Sequence, residues 1–383
     1  MLKLKNHQKT LLLICSFGLI FRLLGLINTT LSGDFAYHWH MAGGIITKGI
    51  YPLLGPAASM DNSFHLGPLY YYLLAIPYFF GKGNYHAAII FFSLLSTFSI
   101  FVFYYVCQNW FTVPQSLKMT ALYAFSSYMI AVQSFPWNPY ILPAFIIFSL
   151  YCIVQSLKGK YIFVTLLFLC FSILLQAHAT TLFLLPVFAI LLPIRKIPLR
   201  FYAAGLVVFL LFLAPWIFTD LTTNFSQTRA GLAIFQAGKT EQCSFLNYIV
   251  NHGHGERCFS QIRNSLFISR IFTMSLFNTQ NILIVFLALF TIIILLLQTD
   301  LLQRKLIFSW IVIPTVFFLF YSSNVYLHYF LILIPMPFFL FVLLLEKLNK
   351  LGKLGQKIST AIFFALIIFN IGSYLFSLQT PRG

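Results

Sequence analysis

The feature that most constrains this chain is a succession of apolar runs, each matched to a hydrocarbon layer ~30 Å thick, which takes roughly 17 to 25 helical residues to cross. They run from Thr10 to Ile27, Ala87 to Cys107, Met119 to Phe135, Tyr140 to Leu157, Tyr161 to Gln176, Ala179 to Leu192, Phe201 to Phe218, Ile282 to Gln298, Leu306 to Tyr321, Tyr329 to Leu345 and Ile358 to Leu375. Lipid offers no hydrogen bonds to a backbone, so each run reads as a helix. The 383 residues are 60% hydrophobic and only 8% charged, with 46 Phe, which excludes a soluble domain. The expected fold class is an all-α polytopic membrane protein with about eleven transmembrane helices, one for each run, forming a single integral-membrane domain over residues 1–383. The two runs flanking His178 are short, and a broken helix pair is expected there, lining a protein cavity rather than facing lipid.

The net charge of +17 comes from short basic clusters between apolar runs, with no basic surface of the kind that binds nucleic acid. Lys and Arg in short loops stay on the cytoplasmic side. Lys3/Lys5/Lys9, Lys118, Lys158/Lys160, Arg195/Lys196/Arg200, Arg304/Lys305 and Lys347/Lys350/Lys353/Lys357 therefore place the N-terminus inside and the C-terminus outside. The first apolar run holds Arg22 and is followed by no small-x-small cleavage site, so it reads as a retained anchor rather than a signal peptide. Pro68 to Phe80 is too short to cross at ~1.5 Å per residue. It is expected to be a re-entrant or interfacial helix within a first extracytoplasmic loop, residues 28–80, with Tyr70, Tyr71 and Tyr72 at the membrane boundary. A second long outer loop covers residues 219–281. Cys243 and Cys258 in it are separated by fourteen residues that include His252 and His254. An oxidising compartment favours a disulfide between them, whereas a Cys2His2 zinc set does not match the common finger spacing.

Only 7 Asp and Glu occur in the chain, so each acid carries information. Asp34 follows the first span directly. An acid there is placed to take a proton from an attacking hydroxyl, or to cap the helix that begins at the same point. Asp61 and His65 form a second polar cluster before Gly67-Pro68. Under the topology above, these residues, Trp137-Asn138-Pro139, His178, Asp220 and Asn324 to Tyr329 all fall on one outer face and define one candidate site. His178, flanked by Gln176, Thr180 and Thr181, is suited to a polar cavity. His328 and Tyr329 open a span at headgroup level, where they suit a lipid phosphate or the interface itself. Arg22, within a span, needs a partner or a route to the outer surface. Arg263 and Arg270 in the long outer loop are candidates to hold an anionic phosphate. No phosphate-binding glycine loop, dinucleotide fingerprint, serine elbow or metalloprotease motif is present.

These fragments, in this order, resemble the integral-membrane GT-C glycosyltransferases, in particular the protein O-mannosyltransferases and lipid A aminoarabinose transferases. The resemblance covers most of the chain. It is carried by the Arg22 span followed by Gly33-Asp34 and a helix with Tyr37 five residues before Ala42, by Gly49-x-Tyr51-Pro52, and by His65-Leu-Gly-Pro68-Leu-Tyr-Tyr. Trp137-Asn138-Pro139, Gln176-Ala-His178 and His328-Tyr329 leading to Pro335 add to it.

The resemblance implies inverting transfer of a sugar from a polyprenyl-phosphate donor to a glycan, lipid or protein acceptor hydroxyl. The enzyme would lie in the cell or inner membrane with its active site on the extracytoplasmic side. Asp34 would be the catalytic base, and Arg22, Tyr37, Asp61, His65, His178, Arg263, Arg270, His328 and Tyr329 would bind substrate. Partners are then the lipid-linked donor, the acceptor and membrane lipid, with no nucleic acid. Members of the family often carry a second acid after the first, where this chain has Phe35, which leaves divalent-metal use open and no cofactor certain. Many also carry a soluble C-terminal domain, which is not found before Gly383. Two other readings share the spans and the polar site: a flippase for a lipid-linked sugar, for which inverted-repeat symmetry is missing, and a polymerase or ligase of the O-antigen type, for which the early Asp34 loop is foreign.

Overall fold

A computed structural model describes residues 5–58, 63–236, 271–278, 301–319 and 326–380. Among them every regular element is helical, apart from isolated bridge residues, of which Ala57 and His65 pair antiparallel. Five helices are long and apolar enough to cross a membrane: Asn6–Asn28, His86–Cys107, Asn138–Leu157, Leu199–Thr222 and Lys353–Ser377. The pair Leu327–Leu333 and Met336–Asn349, bent by 60°, makes a sixth. The chain is thus an integral membrane protein built of helices.

The other expected spans take shorter or broken forms. Ile162–Ala177 is a single helix of 16 residues, about 24 Å long. The run from Ala179 to Leu192 becomes a 3-10 segment, Ala179–Leu184, and a short helix, Leu185–Leu191. The run from Met119 to Phe135 divides into Val113–Phe125 and Ser127–Ser134. The Leu306 to Tyr321 run falls in the helix Leu301–Leu319, and the one from Ile282 to Gln298 lies outside the described residues.

The division at Ser126 has a visible physical basis. Freed backbone groups in lipid need partners, and other helices provide them here. The Ser126 hydroxyl accepts from the Met129 amide at 3.2 Å and donates to the Ser275 carbonyl at 2.6 Å. Asn370 accepts from the Ser127 amide at 2.9 Å. Arg22 donates to the Ala124 carbonyl at 2.9 Å.

His86–Cys107 is the central packing helix, with Asn6–Leu23 on one side and Leu142–Leu157 on another. Buried Ser93, Ser96 and Ser99 lie along it, and small residues let membrane helices approach closely. Opposite them, a methyl group added at Gly18 would lie 2.9 Å from Ile100 Cδ1.

The first loop is what positions the site. Gly33–Lys48 is a helix whose last residue is followed by Gly49 at φ +64°, a conformation that glycine adopts without strain. A strap follows in which Gly55 N–H donates to Leu66 O (2.8 Å), Leu66 N–H to Pro56 O (2.9 Å) and Ala58 N–H to Phe64 O (2.8 Å). Leu69–Phe80 then spans 12 residues, about 18 Å, short of a bilayer crossing. It packs against Gly33–Lys48, with Trp39 and Tyr78 rings 4.9 Å apart, and the Tyr72 hydroxyl returns to the strap at Pro52 O (3.0 Å).

Candidate active site

Three chain segments reach one cavity in the same way. Trp137, His178 and Tyr326 are each extended residues (φ/ψ −130°/142°, −164°/134° and −112°/159°) that start a 3-10 segment. A helix that begins with such a break turns its first side chains away from the regular bundle contacts. The rings gathered there form a continuous wall: Trp137 to His328 at 4.7 Å, His328 to His178 at 5.3 Å, and His178 to Tyr329 at 4.6 Å between centroids.

The cavity has a volume of about 870 Å³ and is lined by Asp34, Tyr37, His38, His65, Trp137, Asn138, His178, His328 and Tyr329, among others. This is within the size range of small-molecule sites. Asp34 is its one acid, and neither Lys nor Arg lines it, among the described residues.

Asp34 sits in the first turn of Gly33–Lys48, with Ser32 at the N-cap position. Its carboxylate accepts from Trp137 Nε1–H at 3.1 Å. Asp34 therefore faces the cavity instead of capping its own helix. The next residue, Phe35, is turned about 100° around the helix and is fully buried against Trp39, Tyr85 and Phe135. Among the described residues no group of three or more His, Cys, Asp or Glu gathers as a metal site.

Neighbouring polar residues hold the catalytic-looking ones in place. Asn138 Nδ2 donates to the Ala177 carbonyl at 2.9 Å, fixing the break next to His178. The Thr180 amide donates to His178 Nδ1 at 3.3 Å, with the Thr180 hydroxyl 2.8 Å from the same atom. Because Nδ1 accepts an N–H, the neutral ring carries its proton on Nε2. Gln176 Oε1 accepts from the Leu69 amide at 3.3 Å, and a methyl group on Gly67 would lie 2.2 Å from that oxygen. A larger residue there would displace the Gln176 side chain from the Leu69 amide. His65 is tied through its backbone: its N–H donates to Gln227 Oε1 at 2.8 Å, and its carbonyl accepts from Trp216 Nε1 at 2.9 Å.

A comparison with solved structures agrees with this fold. A crystal structure of ArnT from Cupriavidus metallidurans bound to undecaprenyl phosphate is similar to this chain, with a TM-score of 0.59 at 15% identity, covering 92% of this chain. The chain spans 63% of the length of that protein. No family model matches, and no curated protein matches by sequence.

Several expected site residues lie elsewhere. Arg22, expected to bind substrate, is wholly buried in the bundle. Its guanidinium donates to Ser96 Oγ, to the Gly18 carbonyl (3.1 Å), to the Ala124 carbonyl (2.9 Å) and to Gln133 Oε1 (3.0 Å). It neither lines the cavity nor reaches the outer surface, because these acceptors meet its charge inside the protein. Asp220 also stays out of the cavity. It accepts from the amides of Gln227 (2.8 Å) and Thr228 (3.0 Å), so it anchors the helix Ser226–Gln236 that carries Gln227 over the strap. Asp61, Arg263, Arg270, Asn324, Cys243 and Cys258 lie outside the described residues.

One residue of the cavity was not singled out from the sequence. His38 stands one helical turn after Asp34, the spacing that puts two side chains on one helix face. That spacing was the available signal. Its ring lies between Tyr70 (5.3 Å) and Tyr71 (5.6 Å), and burial, opposed by the Asp34 charge, lowers its pKa to about 4.

Proposed function

We propose that this chain is a glycosyltransferase that moves a sugar from a polyprenyl-phosphate donor to an acceptor hydroxyl, with inversion, at the extracytoplasmic face of a cell membrane. The observation that carries the reading is the single cavity carboxylate, Asp34, held by Trp137 Nε1 at 3.1 Å and open to a cavity of about 870 Å³. The fold likeness to a protein bound to undecaprenyl phosphate supports the donor class.

In the reaction Asp34 takes the proton of the acceptor hydroxyl as its oxygen attacks the anomeric carbon. The bond from that carbon to the phosphate oxygen breaks on the opposite side, and its electron pair leaves with polyprenyl phosphate. Negative charge that grows on the leaving phosphate is best met by fixed donors. His178, His328 and Tyr329 occupy the wall that would face it, and Arg263 and Arg270 are proposed to join from the outer loop. Tyr37 and His65 are assigned to substrate binding at the cavity wall, and Asp61 is proposed to join them. The rest of the rate comes from holding both reactants in line within the cavity.

The test is transfer from radiolabelled undecaprenyl-phosphate glucose and mannose in membranes, comparing wild type with Asp34→Asn at equal expression. Transfer is expected to fall roughly 100- to 10,000-fold while donor binding persists. Unchanged transfer, or donor movement between leaflets with no transfer, overturns the reading, and the second result favours a flippase.

A further inference from the structure

His38 is the buried titratable group of the cavity for which the proposed reaction has no role. It is 4% exposed, and its Nδ1 is sealed with no hydrogen-bond partner. The ring nonetheless lines the cavity, so the nitrogen left to face that space is Nε2. A neutral imidazole carries one proton, and a sealed N–H without an acceptor is costlier than a sealed lone pair. The proton is therefore assigned to Nε2, on a side chain that shares its helix face with Asp34, four residues earlier. The Tyr70 and Tyr71 rings pack beside the imidazole, and the low pKa keeps the ring neutral. Asp34 and His38 then form an acceptor and a donor one turn apart, with Cβ atoms roughly 5–6 Å from each other.

We infer that His38 is a substrate-contact residue whose Nε2–H donates to the oxygen next to the hydroxyl that Asp34 deprotonates, and hence that the acceptor is a carbohydrate with two adjacent hydroxyls. This rests on the transfer reaction proposed above. A serine or threonine acceptor brings one side-chain oxygen and leaves Nε2–H without a partner at the moment of attack. A pyranose with vicinal hydroxyls satisfies both groups at once. A site built around a fixed donor also rejects analogues that lack the matching oxygen.

The experiment uses the full-length protein in membranes, with undecaprenyl-phosphate glucose or mannose as donor. The acceptors are p-nitrophenyl mannoside, its monodeoxy analogues and an acetylated serine peptide. Wild type, His38→Phe and His38→Gln are compared. Phe keeps the packing between Tyr70 and Tyr71, and Gln restores a donor near the Nε2 position. Wild type is expected to prefer the intact glycoside to one deoxy analogue by roughly 10-fold in kcat/KM, the worth of one hydrogen bond. That preference should vanish in His38→Phe, through loss on the intact glycoside alone, and return in His38→Gln. A preference that survives in His38→Phe, an equal loss on all acceptors, or better transfer to the peptide than to any glycoside overturns the inference while leaving the transferase reading intact. Absence of transfer from either donor in wild type overturns both.

Discussion

Replacing Arg22 separates a structural cation from a substrate-binding one. In Arg22→Met the side-chain volume is kept and four donated hydrogen bonds are lost, to Ser96, Gly18, Ala124 and Gln133. Ser96 retains a partner, because its hydroxyl also donates to Gln133 Oε1 at 2.8 Å. Gly18 lies within a helix, whereas the Ala124 carbonyl stands at the Ser126 break and loses a donor there. One orphaned carbonyl costs about 1–3 kcal/mol, and the lost charge-assisted bonds are largely offset by no longer burying a guanidinium. The expected net destabilisation is about 1–3 kcal/mol. Gln133→Leu should be worse, about 3–5 kcal/mol, because it leaves the buried charge short of an acceptor and removes the 2.6 Å bond from Gln133 Nε2 to the Tyr123 hydroxyl. The double variant should fall well short of the sum, as expected of residues in one network. Denaturant unfolding in detergent micelles measures the stabilities, and donor KM at a permissive temperature should stay unchanged in Arg22→Met. A raised donor KM at unaltered stability, or greater damage from Arg22→Met than from Gln133→Leu, refutes the reasoning.

Two further outcomes follow from the cavity. Trp137→Phe keeps a ring against His328 and Tyr140 but removes the donor to Asp34, so transfer should fall roughly 10-fold, the scale of a hydrogen bond to a charged group, with thermal stability little changed. His38, on a helix outside the spans, has a folded pKa of about 4 against an ordinary 6.5. Between those values the unfolded chain binds a proton that the folded chain refuses, so this contribution is fully present above pH 6.5 and is lost as pH falls toward 4. It amounts to roughly 3 kcal/mol. The groups facing the ring are Asp34, Tyr37, Tyr70 and Tyr71. Thermal midpoints at pH 7 and pH 5 should therefore diverge more in wild type than in His38→Phe.

The helical pieces were legible because apolar length alone signals a membrane helix: His86–Cys107 and Lys353–Ser377 lie almost where their apolar runs do. The break at His178 was legible too, from a polar cluster between two short runs. The 3-10 form of that break and its counterpart at Trp137 were not, since they depend on Asn138 reaching Ala177 and on Thr180 meeting the ring of His178. Arg22 was legible in part: a charge within a span signals a partner, but nothing in a linear chain names that partner as a carbonyl at a helix break 102 residues away.

The sequence by itself determined that the chain is a helical membrane protein and that its few acids and histidines cluster between spans. Hydrophobic length and the scarcity of charge are local properties, readable without partners. Only the tertiary structure decided which polar residues share a cavity. Asp34 and Trp137 meet across 103 residues, His38 lines the cavity with its ring packed beside Tyr70 and Tyr71, and Arg22 and Asp220 are held by hydrogen bonds formed inside the fold. Side-chain direction at such positions is set by packing and by the need to satisfy every buried polar group, and both are properties of the assembled helices.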